Sequence, residues 1–120
     1  MQPPKKLAPP KDQPFTTAEL SQYDGSDPSK PIYVAVQGVV FDVTHRADCY
    51  GPGKWYHIYA GKDGSRGLGK TSLTAEDAIA DYGDLSKQEK KVLDNWYKYF
   101  LKRYNVIGQV IDGPQVPESS

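Results

Sequence analysis

The feature that most limits this chain is its shortage of aliphatic side chains. Leu, Ile, Val and Phe supply only 24 of the 120 residues, a fraction at the border of what folds unaided. Nine Tyr, two Trp and three Phe stand beside them, all between residues 15 and 111. A chain of this length makes one ordinary domain with a modest core, so something besides aliphatic packing has to complete the interior. Fifteen Lys and Arg balance fifteen Asp and Glu. The zero net charge argues against a protein that coats a nucleic-acid backbone, because such proteins carry surplus cations to displace counterions from phosphate. Cys49 is the single cysteine, which excludes an internal disulfide and a Cys-cluster zinc site and fits a reducing compartment. No apolar run approaches the ~20 residues of a membrane span, and the first fourteen residues lack the apolar stretch of a secretory signal. The chain is therefore expected to be soluble.

Five of the ten prolines fall in residues 1–14 beside Lys5, Lys6 and Lys11, and residues 112–120 are again Pro-rich and polar. Both ends read as disordered tails, leaving 15–111 as the folded domain. Thr16 to Glu19 spells a capping box flanked by Phe15 and Leu20 as a hydrophobic staple, so a short helix starts there and ends near Asp24-Gly25. Ile32 to Val36 and Val39 to Val43 are β-branched runs around Gln37-Gly38, a hairpin signature. Thr74 to Asp77 is expected to cap a second short helix reaching Tyr82. Ser86 to Glu89 is a third capping box. After it Val92, Leu93, Trp96, Tyr97, Phe100, Leu101 and Tyr104 follow at helical spacing, with Lys98, Lys102 and Arg103 outside. Val106 to Ile111 closes as a strand. The pattern is α+β, without repeating βα units. The last helix is basic, with six cations between residues 86 and 104, while residues 19–84 hold ten acids and six bases.

Residues 44–73 show no sustained period, and thirty such residues inside a compact domain usually mean function. Cys49, Tyr50, Trp55, Tyr56, His57 and Tyr59 alternate there with six glycines, which suits close contact with a flat ligand or an aromatic-stapled loop on the long helix. Gly64 to Thr71 satisfies the phosphate-loop expression, but no buried parallel strand or βα alternation surrounds it, so a chance match is preferred. His45 and His57 are the only histidines; without a carboxylate or Cys cluster at ligand spacing a zinc site has no support. No Ser, Cys or Lys stands beside a base and an orienting acid, so side-chain catalysis is not expected.

Phe15-Thr16 with Glu19-Leu20, Val39 to Thr44, Tyr50-Gly51-Pro52, Tyr56 to Gly61, Asp63, Ser65 to Leu68, and Asp84-Leu85-Ser86 leading to Trp96 and Tyr104 together resemble the membrane-associated progesterone receptor family, of its damage-response and sterol-regulating type. The resemblance covers residues 15–111. It implies a cytochrome b5-like haem/steroid-binding fold, with a small mixed sheet, short helices and one long C-terminal helix, and haem b as cofactor. The His-Pro-Gly-Gly turn of true cytochromes b5 is missing. In this branch the resemblance places the iron on Tyr56, with Tyr104 as second choice, and Tyr50, Arg103 and Tyr104 lining the site. Lys54 and Arg103 are candidate partners for the propionates, and Tyr59 completes the tyrosine set.

A phenol has a pKa of ~10 in water, but ferric iron supplies local positive charge that favours the phenolate. An anionic oxygen stabilises ferric iron, which points to binding or regulation rather than electron shuttling. The resemblance implies haem-thiolate monooxygenases (cytochrome P-450) of sterol metabolism as partners, at the cytosolic face of the endoplasmic reticulum or in the cytoplasm. Haem carriage and a haem-stacked homodimer are compatible with it. Rival readings are a steroid- or sterol-binding receptor using the same aromatic segment, an electron-transfer haem protein, and a nucleotide hydrolase built on residues 64–71. The family usually reads Tyr-Gly-Pro-x-Gly-Pro-Tyr, whereas here Gly53 comes one position early and Lys54-Trp55 precede Tyr56. His57 follows the proposed ligand directly and has the chemistry to compete for iron or to hydrogen-bond the phenolate.

Overall fold

The computed structural model describes residues 11–113. Its sheet has four strands in the order β1-β4-β3-β2, formed by Gln13–Phe15 (β1), Tyr33–Val36 (β2), Val39–Asp42 (β3) and Asn105–Val110 (β4). The β2–β3 and β3–β4 pairs are antiparallel and β1 runs parallel to β4, so the sheet is mixed as expected. Gln37 and Gly38 both take positive φ, 51° and 79°, and form the two-residue turn that matches strand twist. The fold is an α+β arrangement with a small mixed sheet, short helices and one long C-terminal helix, as the resemblance implies.

Both faces of the sheet are covered. Val34, Val36, Phe41 and Val43 point into one cluster with Leu68, Leu85, Leu93 and Phe100. Ala35 and Val40 point the other way, onto Phe15, Leu20 and Ile107. Alternation along β2 and β3 sends successive residues to opposite faces, and burial on both sides explains why these strands read as unbroken apolar runs. The sparse aliphatic residues are thus divided into two thin cores. Aromatic edges thicken each of them, with Phe41 and Phe100 at 5.4 Å on one side and Phe15 and Tyr33 at 5.7 Å on the other.

Four α-helices accompany the sheet: α1 Thr17–Leu20, α2 Ala47–Tyr50, α3 Ser65–Lys70 and α4 Lys87–Arg103. The capping boxes at Thr16 and Ser86 are both made reciprocally. A 3-10 turn over Ser21–Tyr23 extends α1 to Asp24, where the sequence sets its end. On α4, Leu93 and Phe100 are buried, whereas Leu101, expected on the buried face, is over a third exposed.

One expectation needs correction. Residues 74–77 form turns and no helix reaches Tyr82. The Thr74 hydroxyl does bond Asp77, but Asp77 also pairs with Arg66 at 3.6 Å, and the Ile79 carbonyl leaves the local chain to accept the Arg66 N–H. Tertiary partners have taken the groups that a helix would need. Residues just outside 15–111 also make ordered contacts. Gln13 and Pro14 pair with Gly108 and Gln109, and Asp112 accepts the N–H and hydroxyl of Thr17 at 2.7 and 2.8 Å. The rest of the expected tails, 1–10 and 114–120, lies outside the described residues. Within them, no helix is long and apolar enough to cross a membrane.

Candidate functional site

The aromatic segment is not plain loop. A 3-10 turn over Thr44–Arg46 leads into α2, which delivers Tyr50 to the core below α4. The Cys49 carbonyl then accepts the Tyr56 N–H at 2.9 Å. Residues 51–55 close into a loop, with Gly53 at φ 78°, and the chain returns Tyr56 beside Tyr50. Their ring centroids lie 5.9 Å apart at 36°. Tyr50 also meets Phe100 of α4, and Phe100 meets Tyr104 at 5.1 Å. Three tyrosines separated by half the sequence therefore form one cluster.

Their environments differ in a way that matters for chemistry. Burial drives the Tyr50 phenol far above its ordinary value, with Tyr104 and Tyr99 adding to the effect. Burial also raises Tyr104, although nearby Arg46 pulls it the other way. Both remain protonated donors at neutral pH. Tyr56 is 37% exposed, and the described residues give its hydroxyl no hydrogen-bond partner. Trp55 beside it is 80% exposed.

The remaining expected site residues are dispersed. Lys54 lies exposed at the tip of the loop. Arg103 is exposed and stacks its guanidinium 4.6 Å over the Tyr99 ring. Tyr59 is buried, donates its hydroxyl to the Ser72 carbonyl, and lays its ring against Gly64 and Gly67. Its polar group is already used, and it serves as a staple between the segment and α3. His57 donates from Nε2 to the Asp24 carbonyl at 3.0 Å, so that nitrogen is engaged by the end of the α1 unit rather than by Tyr56.

Three neighbours of the cluster are not among the expected site residues, His45 being weighed only as a metal ligand. His45 places its ring 5.3 Å from that of Tyr104. Arg46 is held by Asp48 at 3.1 Å and by the Cys49 sulfur at 2.9 Å. Tyr99 stands one turn before Arg103. Only its helical spacing from Arg103 offered a signal, since His45 and Arg46 are brought in by the turn that starts α2. Among the described residues no three His, Cys, Asp or Glu side chains converge as a metal group.

The phosphate-loop match dissolves in structure. Ser65–Lys70 is helix, not a loop cradling an anion, and Lys70 pairs with Glu89 at 3.4 Å. The glycines serve packing instead. A Cβ at Gly69 would stand 2.5 Å from Leu85 and 3.1 Å from the Glu89 carbonyl oxygen, so α3 can approach α4 only without side chains there. Asp63 just before α3 is buried, accepts N–H groups from Gly38 and Ser65 at 2.7 and 2.9 Å, and also takes the Ser65 hydroxyl. Burial pushes it up to about 6 despite these donors. Asp63 also borders a cavity of about 510 Å3 that none of the three clustered tyrosines lines.

Comparison with known proteins identifies the family and the fold. The family described as "Cytochrome b5-like Heme/Steroid binding domain" matches residues 16–111. "Probable steroid-binding protein 3" of Arabidopsis thaliana is 47% identical over 97 residues, covering 81% of this chain and 97% of that protein. "Membrane steroid-binding protein 1" of the same plant is 40% identical over 88% of this chain, which spans about half (48%) of that longer relative. The cytochrome P-450 regulator dap1 of Schizosaccharomyces pombe is 36% identical over 81% of this chain and 62% of its own length. A solved Arabidopsis thaliana structure described as having a cytochrome b5 like fold superposes with a TM-score of 0.77 at 46% identity, over 83% of this chain and 92% of that one. The chain belongs to the cytochrome b5-like haem/steroid-binding domain family, in its membrane-associated progesterone receptor branch.

Proposed function

We propose that this domain binds haem b with Tyr56 as the iron ligand and acts as a regulatory partner of haem-thiolate monooxygenases in sterol metabolism. The observation that carries the reading is the exposed Tyr56 phenol, without a hydrogen-bond partner among the described residues, at the edge of an aromatic cluster of Tyr50, Phe100 and Tyr104. These residues fit the group by their chemistry: Tyr56 presents an exposed phenol, the buried Tyr50 and Tyr104 keep neutral phenols in the same cluster, and Lys54 and Arg103 are exposed cations for carboxylate arms. Bound haem would supply a ferric centre. Tyr56 would hold the metal through its phenolate oxygen, and His57 would keep its bond to Asp24. An oxygen-anion ligand disfavours reduction, which supports regulation or haem carriage over electron shuttling. The likeness to a cytochrome P-450 regulator supports the choice of partner, and with it a working place at the cytosolic face of the endoplasmic reticulum.

Haem titration of Tyr56→Phe, Tyr104→Phe and His57→Ala tests the ligand. Tyr56→Phe is expected to lose the wild-type ferric spectrum, while the other two keep it. Retention by Tyr56→Phe with loss in either of the others overturns the assignment. Sedimentation of the haem-loaded protein tests the haem-stacked homodimer: a dimer that reverts to monomer when haem is removed is expected, and a monomer in both states refutes it.

A further inference from the structure

The 510 Å3 cavity is a groove built from three distant parts of the chain: Leu20 of α1, Ala78 and Ile79 from the stretch before α4, and Val110 and Ile111 at the end of β4. Ile79 and Ile111 are 45% and 63% exposed, so the groove holds branched apolar side chains against water, and covering them is favourable. The other end is polar. Gln37 and Gly38 of the hairpin turn reach it, together with Lys62, Asp63 and Tyr82, whose phenol is raised by burial and then by the charge of Asp63. Asp63 Oδ1 accepts twice from Ser65, whereas Oδ2 accepts only from Gly38. A carboxylate has about four acceptor sites, so Oδ2 keeps one free.

We propose that this groove is a second ligand site, separate from the tyrosine face, for a neutral, compact apolar molecule with a hydroxyl or ketone at one end. The volume lies within the ~300–1,000 Å3 of small-molecule sites, and such sites combine apolar walls with a few convergent polar groups. The charge balance selects the head. The polar end holds one charge of each sign, Asp63 and Lys62, so an ionic head of either sign gains from one what it loses to the other, whereas a neutral head bears no such opposition. A hydroxyl can donate to Asp63 Oδ2, and a ketone can accept from Tyr82 or Lys62. The inference stands on the groove and not on the haem reading. It assigns the two ligand classes in the family description, haem and steroid, to different places, so each binds without excluding the other.

Progesterone serves as the neutral probe and cholate as its anionic counterpart, with binding to the full chain followed by calorimetry and amide chemical shifts. Progesterone is expected to bind one to one and to shift the amides of Gly38, Asp63 and residues 78–80. Ile79→Asp combined with Ile111→Asp is expected to weaken it at least tenfold while leaving the circular dichroism and the haem titration as in wild type. Tyr56→Phe, or saturation with haem, should change progesterone affinity by less than twofold, and cholate should bind at least tenfold more weakly. The proposal is overturned if wild type does not bind progesterone, if haem displaces it, if Tyr56→Phe abolishes it, or if the paired aspartates leave it intact. Failure of the wild-type haem titration would sink the haem reading alone.

Discussion

Asp63 sits where a hairpin turn, a helix start and a groove meet, and its carboxylate ties the first two together through Gly38 and Ser65. Burial holds it at about 6 in the folded chain against 3.8 for the free side chain, so the folded state binds this proton more tightly than the unfolded state. The associated stability is fully present below about 3.8 and is lost as pH rises through about 6. Across that window the difference amounts to about 3 kcal/mol. Urea unfolding of wild type and Asp63→Asn should show the wild type gaining on the variant by that order as pH falls from 7 to 4. A gap that stays constant would refute it. The tyrosines carry a different lesson at this scale. Sequence could group Tyr50, Tyr56, Tyr59 and Tyr104 only by kind and by resemblance. Sorting them required knowing that Tyr59 spends its hydroxyl on Ser72 while the described residues leave that of Tyr56 without a partner. Side-chain type is written in the sequence; the fate of a hydroxyl is a tertiary matter.

The elements that could be read directly were those whose causes are local. Thr16 with Glu19, and Ser86 with Glu89, satisfy each other's backbone groups across three residues, and the motif means the same thing wherever it occurs. Ser86→Ala is expected to cost about 1 kcal/mol, visible as a lower denaturant midpoint at unchanged slope. Thr74 to Asp77 carries a similar pattern and yields only turns, because Arg66 claims Asp77. The three-residue strand β1 was invisible for the opposite reason. Nothing within Gln13-Pro14-Phe15 announces a strand, and its pairing comes entirely from β4. Helix α3 shows how a motif expression can be met by packing needs. At Gly67 a Cβ would lie 2.7 Å from the Tyr59 hydroxyl and 2.9 Å from the Asp77 carbonyl oxygen. Gly67→Ala should therefore destabilise by about 1–3 kcal/mol, the usual cost of overpacking, although alanine is the better helix former by ~1 kcal/mol. A thermal melt with a higher midpoint than wild type would contradict this.

On the scale of the whole molecule, the tyrosine face and the groove share no clustered tyrosine. Independent sites stabilise additively. Each ligand at a hundred times its dissociation constant should contribute about 2.7 kcal/mol, and both together about twice that, with coupling below ~0.5 kcal/mol. Unfolding followed with haem, progesterone and the pair measures the sum; a shortfall of a whole ligand's share would mean one shared site. The pairing of β1 with β4 has a further consequence, for the order in which the chain can acquire its shape on the ribosome. The hairpin of β2 and β3 can close soon after it emerges, and α4 can coil while still near the exit. The central place between β1 and β3 stays empty until residues 105–110 are released. Until then the apolar edge of β3 has no partner, and a stalled or truncated nascent chain exposes it. Among the described strands the last one made is the one that seals the sheet, so termination within residues 105–110 should yield an aggregation-prone species rather than a slightly smaller domain.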